Sequence, residues 1–120
     1  MPETYAECGR KELTYATNLL SRLILTLLEY TSKFPESYKM SQDALLGLII
    51  HMSMAIPRWY EGRKEQTSTY DYETEYSRIR REHKEIFEIM EKFFGLVEES
   101  LQVSIAIEEK MAFFLYIIKQ

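Results

Sequence analysis

Residues 43–62 read DALLGLIIHMSMAIPRWYEG. From Ala44 to Ile56 every position except Gly47, His51 and Ser53 is apolar, a run too short to span a bilayer and best read as a buried helix. Ser41 stands where a hydroxyl can cap the first backbone donors, and Asp43 places a negative charge at the positive end of the helix dipole. Pro57 removes one backbone donor and crowds the carbonyl of Ser53, so a kink or a new helical turn is expected there. Gly62 is a plausible stop. A helix over about 42–61, apolar on most sides, belongs in the middle of a domain.

The flanking segments repeat the helical rhythm. Leu13, Ala16, Leu20, Leu23, Leu27, Tyr30 and Phe34 recur at steps of three and four, and Pro35 ends that seam by disfavouring helical backbone at the residue before it. Residues 63–73, RKEQTSTYDYE, read as a loop or a short solvated helix. From about residue 74 one long helix is predicted, with Ile79, His83, Ile86, Met90, Phe93 and Val97 on its seam and Phe87 and Phe94 widening it. SLQVSIA, 100–106, breaks the pattern as a short extended connection, and a last helix spans about 107–119. The fold class is all-α, a compact helical bundle.

Length and charge narrow the functions. A chain of 120 residues makes one domain with a real core. The net charge of −4, with basic residues interleaved among Glu, argues against direct nucleic-acid binding. The start, MPETYAECGR, has neither the basic opening nor the apolar stretch of a signal peptide, and the single Cys8 forms no intrachain disulfide, which together point to a cytoplasmic setting. There is no nucleophile elbow, no glycine-rich phosphate loop and no metal-ligand spacing, so neither an enzyme nor a cofactor or metal protein is expected.

Two histidines remain. On a helix Gly47, His51 and Ala55 share a face, with Arg58 seven residues after His51, about 10 Å along the axis. Small neighbours would leave the imidazole accessible, and a guanidinium at that distance suits a histidine that becomes anionic on phosphorylation. The same residues also fit a hydrogen-bonded core histidine with Arg58 capping the helix end, and taken alone they favour that reading. His83, between Ile79 and Ile86, reads as a partly buried packing or interface histidine. Tyr70, Tyr72, Tyr76, Trp59 and Tyr60 read as closing the core beneath the 63–73 connection.

The stretch 43–62 also resembles the first histidine motif of the phosphotransferase-system regulation domain, the PRD family. His51, Ala55, Ile56, Arg58 and Gly62 fall where that motif has its histidine, its Ala-Ile pair, its arginine and its glycine. The similarity extends through VSIAIEEKMAFFLYIIKQ, 103–120, and covers essentially the whole chain. It implies a compact bundle of about five helices forming homodimers, one regulatory domain (1–120) excised from a larger bacterial transcriptional regulator or antiterminator. In that setting His51 would accept phosphate from HPr or a sugar-specific EIIB component, Arg58 would stabilise it, and nucleic acid would be bound through another domain. The closing helix departs from the family: AIEEK replaces a Pro-Glu-Asp-Glu-like start, and Ile117 stands where a second phosphorylatable histidine would be. A phosphorylation-deficient dimerisation module is the alternative. A histidine phosphotransfer domain ranks behind, because no His-x-x-Lys-Gly pattern follows His51 or His83.

Overall fold

The structure, a computed structural model, describes residues 18–61 and 71–120. Helix α1 covers 18–31, and its inward edge buries Leu23, Leu27 and Thr31, with Phe34 just beyond. It ends before Pro35 as read, tightening into i→i+3 bonds as Lys33 and Phe34 donate to the carbonyls of Tyr30 and Thr31. A single 3₁₀ turn, Glu36–Tyr38, leads to α2 (Gln42–Glu61). There the Ser41 Oγ accepts from the Ala44 N–H at 3.1 Å, satisfying one of the unpaired donors of the first turn. Gly62 and the residues up to 70 lie outside the described residues, as do Leu13 and Ala16 of the first seam.

Two expectations about the middle of the domain and the long helices are corrected. Helix α2 continues through Pro57 without a new helix starting there, and the proline ring is exposed, so water can hydrate the carbonyl that it leaves unpaired. Nor is α2 the middle of the domain. It buries Leu48, Met52, Ala55 and Trp59, while Leu46, Ile50 and Met54 are 57%, 50% and 65% exposed. The central element is α4 (Lys84–Leu101), which buries Ile86, Phe87, Met90, Phe93, Phe94, Val97 and Leu101. Phenylalanine carries more apolar area than the aliphatic side chains of α2, and α4 presents three of them to the interior.

The helix predicted from residue 74 onward is two helices. α3 (Tyr72–Glu82) and α4 meet at His83, whose backbone leaves helical geometry at φ −130°, ψ 48°. Hydrogen bonds still cross the joint, from the His83 N–H to Ile79 and from the Phe87 N–H to His83. The bend lets α3 pack on both α4 and α5 (Ile107–Ile118), which a straight rod could not do. Asp71 caps α3 through its carboxylate, accepting from the Thr74 N–H at 3.0 Å.

Between α4 and α5 the chain turns through Gln102, at φ 55°, a left-handed conformation uncommon outside glycine. The Glu98 carboxylate accepts from the Ile105 N–H at 2.9 Å and pins the connection, which is extended at Ala106 as expected. Helix α5 then inserts Met111, Phe113, Phe114 and Ile117 into the core. Phe87 and Phe114 stack with ring centres 5.3 Å apart, and Phe94 meets Phe113 edge-on at 5.4 Å. Among the described residues the regular structure is helical throughout, with no strand, the all-α bundle of five helices that was expected.

Candidate functional site

The row of small and polar residues on α2 faces α5. A Cβ built on Gly47 would overlap the Tyr116 hydroxyl, so glycine is what admits that ring. One turn on, the His51 ring meets Phe113 edge-on with centres 4.8 Å apart. At the end of the row Arg58 reaches Glu109 in a two-pronged ion pair, Nε to Oε1 at 2.8 Å and Nη2 to Oε2 at 2.9 Å. The partners ascend on α2 as they descend on α5, so the two helices run antiparallel. Ala55, between His51 and Arg58, is fully buried.

This corrects the expected open face. Gly47, His51 and Ala55 serve helix contact rather than leaving a bare ring, because small side chains let two backbones approach. His51 keeps partial exposure as a residue, yet its Nε2 is sealed and has no hydrogen-bond partner. The Trp59 Nε1 and the Tyr76 hydroxyl are sealed and unpaired in the same way, so this feature by itself does not set His51 apart from a core histidine.

Charge around the ring is balanced on two sides. Burial holds the His51 imidazole below its ordinary pKa, Glu109 opposes that shift, and Arg58 adds to it. The Arg58 guanidinium, by direct hydrogen bonding, holds the Glu109 carboxyl below the usual range. The Trp59 indole N–H adds the weakest push in the same direction from a position short of hydrogen-bond geometry. Glu109 in turn raises Arg58. The pair is partly open to solvent, with Arg58 39% and Glu109 22% exposed.

These directions set a pH dependence. With its folded pKa depressed, His51 is neutral in the folded chain while the unfolded chain begins to protonate below about 6.5. The unfolded state then binds more protons, so stability is full above that pH and declines as pH falls through the folded pKa. Glu109, depressed from 4.5, adds a second decline at lower pH of the same sign. Denaturation of wild type and His51→Phe from neutral to mildly acidic pH should show the first decline only in wild type; equal slopes would show that His51 does not cause it.

Sequence reading did not identify Glu109. Its signal was present in AIEEK, but Glu108 and Glu109 are equivalent there until the packing of α5 on α2 selects one. His83 is half-buried, as read, with its Nδ1 2.6 Å from the Tyr38 hydroxyl. Ile117 is a core residue at 1% exposure. Of the five aromatics, Trp59 is buried and Tyr76 packs on Phe87 and Phe114, whereas Tyr60 is exposed and Tyr70 lies outside the described residues. Among the described residues no group of three or more His, Cys, Asp or Glu could hold a metal ion, and no helix is long and apolar enough to cross a membrane.

The described residues thus form a five-helix bundle in which His51 and an arginine–glutamate pair lie along one seam between α2 and α5. The chain belongs to the PRD family, whose domain matches residues 25–120. It is thus a regulatory domain of the kind found in phosphotransferase-linked regulators. No curated protein and no solved structure matches it.

Proposed function

We propose that this chain is the sugar-sensing domain of a bacterial transcriptional regulator or antiterminator, cytoplasmic and dimeric, with His51 as phosphoacceptor and Arg58 as the residue that stabilises the phosphoryl group. The feature that supports it most is the placement of His51, a partly exposed residue, on the same row of α2 as Arg58, whose guanidinium Glu109 already orients; Nε2 is sealed by packing, so the ring has to turn or α5 to shift before that atom meets a donor. Burial favours the neutral ring, which leaves a lone pair free to attack phosphorus. In the transfer a ring nitrogen bonds to the phosphorus of phospho-HPr or a phospho-EIIB, and the donor's bond to phosphorus breaks with its electron pair staying on the donor. The ring N–H proton is lost or retained according to pH. Nucleic acid is bound by another domain, to which this one transmits its state.

Incubation with Enzyme I, HPr, candidate EIIB components and labelled phosphoenolpyruvate tests the reading. Acid-labile label on the protein is expected; its absence with every donor would leave a dimerisation module that has lost phosphorylation. That second reading draws on a specific feature, since Ile117 fills the core where the family has a second histidine.

Both readings include a dimer. Leu46, Ile50 and Met54 lie one turn apart on α2 and are at least half exposed, an apolar stripe that a second copy would cover. Light scattering at concentrations on the order of tens of micromolar should give twice the monomer mass, as expected for an apolar contact of this kind. A monomer mass that persists at higher concentration would remove the dimer from both readings.

A further inference from the structure

We propose that Glu109 is a built-in competitor for Arg58, so that phosphorylation of His51 draws the guanidinium from the Glu109 carboxylate to the phosphoryl group and frees the first turn of α5 from α2. The inference rests on His51 being the acceptor and adds what the modification does next.

The geometry supplies the competition. Arg58 gives Nε and Nη2 to Glu109, and its Nη1 lies 3.4 Å from the Met54 carbonyl, so three of its five N–H groups are engaged and the Nε–Nη2 fork is taken by the carboxylate. His51 and Arg58 lie on one row of α2, and Glu109 faces both, acting electrostatically on each. A phosphoryl group on His51 brings close to two negative charges to a place that already holds a carboxylate. A single guanidinium neutralises one charge. A dianion with three acceptor oxygens outcompetes a monoanion for it, and the carboxylate that loses is repelled.

The effect on α5 depends on how that helix begins. Its N-cap, Ala106, has no side chain able to accept from the first-turn donors. The first intrahelical bond, from the Lys110 N–H to the Ala106 carbonyl, is 3.1 Å long. Uncapped at its start, α5 is tied to α2 there by the Arg58–Glu109 pair, and below that by Phe113 on His51. Moving Arg58 unties the charged end, and the same displacement lifts Phe113 from the modified ring. The switch therefore acts on the α2–α5 seam, next to the exposed stripe of α2, so its consequence reaches the surface that a second copy would contact.

The test compares wild type with Glu109→Gln, which keeps the size of the side chain and removes its charge. Amide hydrogen exchange at residues 110–113 and the labelled fraction at equilibrium with the donor are both measured. In wild type, phosphorylation should speed exchange at those amides about tenfold; in Glu109→Gln exchange should be fast beforehand and change little on phosphorylation, while the labelled fraction rises severalfold. Label in Glu109→Gln but not in wild type would equally support the competition. Equal labelling of both proteins with unchanged exchange overturns the competitor role and leaves His51 as acceptor. No label in either overturns both. If Glu109→Gln fails to unfold cooperatively, Glu109→Asp replaces it; its carboxylate, withdrawn by one methylene, should give the same changes at smaller amplitude.

Discussion

Phe94→Ala is expected to lower the stability of the domain by about 3–5 kcal/mol, much of what a domain of this size has to lose. The ring is fully buried and is the meeting point of α4 and α5, edge-on to Phe113 at 5.4 Å and to Phe114 at 5.8 Å, with Phe93 at 6.1 Å. Truncation forfeits the transfer free energy of the ring and leaves a cavity walled by other rings, which cannot collapse into it without losing their own contacts. Lys110 passes 5.8 Å above the ring and closes it from the outside, so water gains a route when the ring is gone. The signature is a large fall in the denaturant midpoint with little change in slope. A loss below about 1 kcal/mol would mean that the α4–α5 contact is not the centre of the core. Phe94→Leu should recover most of the stability, because it refills much of the volume.

The second large effect is on labelling. Label from phosphoenolpyruvate should fall to background in His51→Ala and persist in His83→Ala. The His83 Nδ1 lies 2.6 Å from the Tyr38 hydroxyl, which fixes the ring at the α3–α4 joint, and no contact pairs it with Arg58, whose fork is held by Glu109. Arg58→Lys should retain label at about a tenth of the wild-type extent, because an ammonium supplies charge without the two-pronged fork. The same change should cost only about 1–2 kcal/mol of stability, since the Arg58–Glu109 pair is part-exposed and lysine can still meet the carboxylate at one point. The separation of the two effects is the informative part: a purely structural arginine would lose stability and labelling together. Label that follows His83 rather than His51 would refute the site assignment.

Local sequence determined the helices and most of their inward faces, because helix periodicity is a property of a short window. The seam Ile79, Ile86, Met90, Phe93, Val97 is buried as read, Ser41 caps α2, and α2 and α5 have the expected extents within a residue or so. The motif around His51 was also legible, because its residues are close in the chain and share one helical face. Other features were settled only when helices met. The break at His83 has no Pro or Gly to announce it and arises because α3 has to reach both α4 and α5. Which helix is central was decided by Phe87 and Phe94 of α4 finding Phe113 and Phe114, with Phe93 packed on Tyr30, while the aliphatic stripe of α2 found no partner within the described chain. The site divides in the same way. His51 and Arg58 could be paired from their spacing, but Glu109 is 51 residues from Arg58 and chemically indistinguishable from Glu108 until α5 is laid antiparallel on α2. The small residues Gly47 and Ala55 suggested an open face for the same reason: sequence shows that room exists beside the imidazole, and only the packing of Tyr116 and Phe113 shows what occupies it.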